Sequence, residues 1–172
     1  MFERLTTGDL DAAFCLADGH GHDLLAVRRL SQDEVIAAFA PHRAPRTRSV
    51  AIADLTSRPL IAMRRGSAIT RALEERAAAR GHHLHLALES GDPFLLRSLA
   101  ARDFATAILP RSITSLDGPP IEVRSLRPPI VLPVVLAWRP QRDVSPAARA
   151  FVDHVLEEVG TGLDAAPAPR GR

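Results

Sequence analysis

At 172 residues the chain is long enough to bury one core or two small lobes. Its 46% hydrophobic and 24% charged residues are the balance of a soluble globular protein, and a net charge of only +2 excludes a strongly basic nucleic-acid-binding composition. All 22 basic residues are arginine, which does not titrate in the usual range; that pattern points to a GC-rich coding sequence more than to a binding function.

The N-terminus, MFERLTTGDLDAAF, has no charged region followed by an apolar stretch, and no run in the chain is long enough to span a bilayer. No membrane partner is therefore expected. DAAFCL reads as a strand. Its Cys15 is the single cysteine, so no internal disulfide can form, which fits a cytoplasmic protein. Cys15 reads as a small buried apolar residue rather than a nucleophile. DGHGHD (18–23) reads as a loop. LSQDEVIAAF (30–39) carries a Leu-Ser-Gln that invites a helix-turn-helix reading, but no preceding helix supplies the first half of that motif. PHRAPRTRS (41–49) is a basic, proline-containing connector and a plausible crossing between lobes.

The run from Pro59 to Ser112 is the most informative. PLIAM (59–63) is a buried strand, broken by Arg64, Arg65 and Gly66. Ser67 caps a helix in which Ile69, Leu73, Ala77 and Arg80 recur at helical spacing, and Gly81 closes it. HLHLAL (83–88) alternates, with Leu84, Leu86 and Leu88 on one face and His83 and His85 on the other. Asp92 and Pro93 open a second helix with an apolar stripe of Leu95, Leu96, Leu99 and Ala100. FATAIL (104–109) is a strand covered on both faces, stopped by Pro110. Strand, helix, strand, helix, strand is a parallel unit. Its carboxyl-end loops, RRGS (64–67), ESGDP (89–93) and PRS (110–112), should gather on one edge, where such folds bind small molecules.

Beyond it, LDGPP (116–120) and RPPIVLP (127–133) are punctuated by proline and read as loop and edge strand. VVLAW (134–138) is a strand. Ser145 and Pro146 cap a last helix with Ala148, Phe151, Val152, Val155 and Val159 on its apolar face and Gly160 at its end. Residues 161–172 have no periodicity and read as a disordered tail.

Several segments, in order, resemble the effector-binding domain of LysR-type transcriptional regulators. GDLDAAF (8–14), VIAAFAPHRAP (35–45), IADLTSRPLI (52–61), RGSAITRALEERAAARG (65–81), LLRSLAARDFATAILPRS (95–112) and VVLAWRPQRDVSPAARAFVDHVLEEV (134–159) each match a family segment. Their order and spacing, rather than any one of them, carry the resemblance. The glycine pair that the family places before the FATAILP strand is replaced by Asp103 and Ala105. Of these, Asp103 tolerates a left-handed backbone.

The resemblance implies an α/β, two-lobed, type II periplasmic-binding-protein-like effector domain with parallel-type sheets. Its lobes would be 1–41 with 140–160, and 42–139. It also implies that Met1 falls inside the family's first effector subdomain, so that the first lobe is incomplete and the winged helix-turn-helix is missing. DNA would then be reached only through that missing N-terminal domain. Other implied partners are a small-molecule effector in an interlobe cleft and a second chain, as a homo-oligomer or an intact homologue. Contact residues carried over from the family are Leu16, Ala17, Ser31, Arg65, Gly66, Ser67 and Ala68.

From the residues alone, two readings of the RRGS turn stand side by side. It is a pocket for a small anion, with Ser67 and the following N–H groups as donors and Arg64, Arg65 and Arg111 nearby, or it is a helix cap flanked by solvated arginines. His83 and His85 share a strand face but lack the further ligands of a zinc site, so no metal and no cofactor are expected. Asp9 and Asp11 read as turn residues rather than an acid/base pair. No nucleophile elbow, lysine-bearing phosphate loop or Ser/His/Asp pattern is legible, which argues against an enzyme.

Overall fold

The structure is a computed structural model, and it describes residues 2–17, 19, 24–140 and 145–162. The 18–23 loop, apart from Gly19, and the tail from 163 onward lie outside the described residues. In chain order the elements are α1 (Phe2–Thr7), β1 (Ala12–Leu16), β2 (Ala26–Phe39), β3 (Ser49–Ala51), β4 (Leu60–Met63), α2 (Ala68–Ala78), β5 (Leu86–Ser90), α3 (Pro93–Ala101), β6 (Thr106–Pro110), β7 (Glu122–Trp138) and α4 (Pro146–Gly162). Hydrogen bonding orders the strands β1-β7-β2-β6-β4-β5, with β3 off that path on β7. The chain divides into two units, 1–31 with 134–172, and 32–133.

The unit of residues 32–133 holds the expected parallel arrangement. β4 lies parallel to both β5 and β6. The sheet as a whole is mixed, because β2 runs antiparallel to β6. VIAAF is thus strand, and the Leu-Ser-Gln segment at its start belongs to the same β2.

Both parallel connections form as their caps dictate. The Ser67 hydroxyl accepts from the Thr70 amide at 3.2 Å and donates to Thr70 Oγ1, which in turn donates to the Met63 carbonyl at 2.6 Å. The Asp92 carboxylate accepts from the Phe94 and Leu95 amides at 2.8 and 3.3 Å. Each helix also ends in the same way. Gly81 N–H reaches the Ala78 carbonyl and His82 N–H the Ala77 carbonyl, and Asp103 and Phe104 repeat this on Ala100 and Leu99. Both turns need a left-handed residue; Gly81 supplies φ 72° and Asp103 φ 61°. Asp103 therefore does the work of the expected glycine, held by Arg43 Nε at 2.8 Å.

The core here is Ile36, Ala38, Ile61, Leu96, Ala100, Ala107, Leu109 and Ile113. The stripe of α3 is rotated from the one predicted. Leu95 is 45% exposed, whereas Leu96, Arg97 and Ala100 face inward. Buried Arg97 is not an unpaired charge. Its Nε donates to the Pro119 carbonyl at 3.0 Å, Nη1 to Ile113 at 2.8 Å and Leu116 at 2.6 Å, and Nη2 to Gly118 at 3.3 Å. A Cβ at Gly118 would stand 3.1 Å from the guanidinium, so glycine is what lets the loop close on it. This ring of carbonyls satisfies a cation that burial would otherwise strongly penalise.

The predicted loop and edge strand at 127–133 is instead the middle of β7, one strand of 17 residues. Pro128, Pro129 and Pro133 lack N–H donors. They fall between the β3 register, which ends at Arg127, and the β1 register, which begins at Val134. They therefore cost the strand no ladder bond to β1 or to β3.

The unit of 1–31 with 134–172 pairs β1 antiparallel with the end of β7. Leu5, Ala17, Leu25, Val135 and Ala137 are its core, and Cys15 packs against them half-buried. Burial pushes the Cys15 thiol up, away from the nucleophilic thiolate. The loop before β1 is tied by Arg139 Nη2 to Asp11 at 3.3 Å, which gives Asp11 a structural role. Ser145 caps α4 through its hydroxyl on the Ala148 amide at 3.2 Å. The helix runs to Gly162, two residues past the glycine predicted to stop it. Phe151 on α4 meets Phe14 edge to face, with centroids 5.9 Å apart.

Candidate functional site

The carboxyl edge of the β5-β4-β6 sheet is built by the loops after β4, β5 and β6, as the parallel topology requires. After β4 the chain turns at Arg64–Gly66, with Gly66 at φ 81° and open space where a Cβ would be. The turn delivers Ser67 to the start of α2. The amides of Ala68 and Ile69 are then the first N–H groups of the helix, and they have no intrahelical acceptor. Ser67 Oγ is already engaged with Thr70, so what the turn leaves for a ligand is backbone N–H rather than a free hydroxyl.

The arginines of this edge have different fates. Arg65 is locked to Glu89: its amide donates to Oε2 at 2.8 Å and its Nε lies 3.0 Å from Oε1, with Glu74 at 3.7 Å. Arg111 Nε donates to Glu34 at 2.7 Å and its Nη2 to Ser125 Oγ at 3.0 Å. Burial raises the Glu34 carboxyl, but the hydrogen bonds from Arg111 and Ser125 outweigh it and hold the group below the usual carboxylate range. Neither arginine is simply solvated, and neither has its charge free. Arg64 differs. It is exposed, makes no side-chain hydrogen bond or ion pair among the described residues, and lies over the ESGDP loop, where a Cβ at Gly91 would meet its Nε at 3.2 Å. The third loop, PRS, enters a single 3-10 turn at 111–115 rather than an α-helix.

The predicted contact residues Arg65, Gly66, Ser67 and Ala68 are therefore contiguous on one turn. Leu16, Ala17 and Ser31 belong to the other unit. Ala17 is 4% exposed in that unit's core, Leu16 ends β1 half-buried, and Ser31 is exposed on β2. His83 and His85 are exposed just before β5, and no group of three metal-ligating side chains exists among the described residues.

Two cavities lie at the opposite, amino edge of the same sheet. One of about 470 Å³ is walled by Phe39, Pro59, Phe104 and Ala105; another of about 330 Å³ shares Phe39 and Arg58 with it. Nothing in the sequence marks Arg58, because a lone arginine before a strand is ordinary.

A mixed sheet flanked by helices is the architecture of the periplasmic-binding-protein-like domains that the comparisons bring out. The chain belongs to the LysR substrate binding domain family, whose model matches residues 1–160. No curated protein matches it in sequence. Among solved structures it is similar to the effector binding domain of QuiR in complex with shikimate, at 18% identity and a TM-score of 0.75 over 92% of this chain and 76% of that one. It is similar to the regulatory domain of Synechocystis PCC6803 CcmR in complex with 2-PG, at 14% identity and 0.76 over 91% and 77%. Full-length CbnR complexed with its target DNA matches at 20% identity and 0.67, over 90% of this chain and 55% of that one. The chain thus spans about half of that full-length regulator. No helix among the described residues is long and apolar enough to cross a membrane.

Proposed function

We propose that the chain is the ligand-sensing part of a LysR-type transcriptional regulator, and that it binds a small anionic effector at the Arg64–Ala68 turn. The observation that carries this reading is the pairing of open helix-start amides at Ala68 and Ile69 with an unpaired guanidinium on Arg64. Amides at a helix start favour a carboxylate or phosphate, and the adjacent arginine supplies charge. Arg65, by contrast, shapes the turn through Glu89, and Ser67 positions α2. The interlobe placement of the effector, with Leu16, Ala17 and Ser31 contributing, rests on the family resemblance alone and is proposed on that footing. Shikimate and 2-PG, the ligands of two structural neighbours, are both small anions.

On this reading effector binding shifts the population of a two-state regulator, and DNA is contacted through a helix-turn-helix outside residues 1–172. The protein is cytoplasmic and oligomeric, and no enzymatic step is involved. Isothermal titration with shikimate and 2-PG tests the site: Arg64→Gln should weaken whichever ligand binds by about tenfold, the loss of one charge-assisted contact. Binding unaffected by Arg64→Gln, or no binding of any small acid, would overturn it.

A second reading, a module that pairs with an intact homologue, is favoured by apolar surface on the 1–31 and 134–172 unit. Phe14, Leu24 and Phe151 are 50%, 74% and 45% exposed there. The intact mass of the endogenous protein separates the two. A mass well above 18.6 kDa with a helix-turn-helix peptide supports the regulator, and a mass of 18.6 kDa supports the module.

A further inference from the structure

At the amino edge of the β4-β6 sheet, Arg58 stands between the two cavities and lines both. Its Nε is buried and makes no hydrogen bond, and among the described residues its guanidinium has no carboxylate partner. The cation lies over the ring of Phe39, with 5.8 Å from Cζ to the centroid, a contact that does not neutralise it. The other charges of the larger cavity cancel. Arg43 Nε is 2.8 Å from Asp103, and His42 adds a contact to the same carboxylate at 3.4 Å. One uncompensated cation therefore remains against walls that include Phe104, 56% exposed, and Pro59. A half-buried charge with no partner is costly unless something supplies one. A volume near 470 Å³ is that of a small-molecule site.

We propose that this cavity is a second ligand site, distinct from the carboxyl-edge turn, that takes a monocarboxylate with a compact apolar body. The carboxylate meets the Arg58 guanidinium, and the apolar part lies against Pro59 and Phe104. A dianion fits less well, because only one cation is free.

The test is an amide chemical-shift titration of the full chain with phenylacetate, with phenylacetamide and acetate as controls. The expected result is saturable shifts at Ala40, Arg58 and Phe104 to Thr106 with millimolar affinity, much weaker effects from the neutral amide and from acetate, and no dependence on Ser67→Ala or Arg64→Gln. Arg58→Met should weaken binding by about tenfold, the loss of a charge-assisted hydrogen bond. Should Arg58→Met unfold the protein, Arg58→Lys, which keeps the charge but not the forked donor, and Phe104→Ser, at an exposed position, should each weaken it measurably. Absence of saturable shifts at these amides, equal binding of phenylacetamide, or binding insensitive to all three variants would overturn the proposal. So would shifts of the same amides on simple dilution, since the face would then be a contact between copies of the chain.

Discussion

The two edges of the 32–133 sheet each carry paired and unpaired arginines. Among the described residues Arg64 is free at the carboxyl edge and Arg43 is paired at the amino edge. The clearest contrast is between the framework arginines of the first and Arg58 of the second. At the carboxyl edge, Arg65 and Arg111 are paired with glutamates and Arg97 is ringed by backbone carbonyls. At the amino edge, Arg58 is partly buried beside two cavities with no polar partner. A cation that has its partners is part of the framework, and a cation that lacks one is available to a ligand. The partner set, not the residue type or its burial, separates the two roles.

That contrast is sharpest for stability. Arg97→Leu should destabilise by about 3 kcal/mol in urea denaturation, because it strips hydrogen bonds from several buried carbonyls at once. Arg58→Met, a change of similar size, should cost less than about 1 kcal/mol, since no hydrogen bond is lost. Equal losses would break the comparison. Next in size is Ser67→Ala, which removes the cap of α2 and should cost about 1 kcal/mol in the same assay, while Ser67→Asp should retain most of it. The two variants part in ligand binding: Ser67→Asp adds a negative charge to the carboxyl edge and should abolish anion binding there while the protein stays folded.

The smallest effect is the pH dependence at Asp103. The hydrogen bond from Arg43, with its charge and that of His42, holds the Asp103 carboxyl below its ordinary value. A depressed folded pKa contributes stability above the unfolded value, and the contribution is lost as pH falls through the folded one. The melting-temperature advantage of the native chain over Asp103→Asn should thus be present at neutral pH and shrink on acidification. The pair is exposed, so added salt should reduce that advantage too.

Much of this architecture can be read from the sequence because its signals are local. Ser67 and Asp92 cap helices, Gly81 ends one, and TAIL is apolar enough to be buried from either side. Even the left-handed turn at Asp103 is legible, as one of the few residue types that tolerate glycine's conformation. The errors are those of register and partnership. Leu95 looks like core by spacing, yet Arg97 takes an inward place because carbonyls 16 to 22 residues away meet it. The prolines of β7 look like breaks because only the registers of β1 and β3 show that they sit between those two pairings. Arg64 stands in the predicted turn, but its freedom from any partner, unlike that of Arg65, depends on where Glu89 and Glu74 happen to lie. Arg58 is silent in sequence for the same reason.

Arg97 reads only the main chain of the segment it holds. The outline of residues 116–118 is therefore dictated from α3, and the side chains of Leu116 and Asp117 are left almost without structural duty. Leu116 is half-exposed, and Asp117 faces solvent. Only Gly118, pressed against the guanidinium, is bound to its identity. Such a segment is a fixed frame with replaceable panels: its surface chemistry can be rewritten, by selection or by hand, without asking the fold to move.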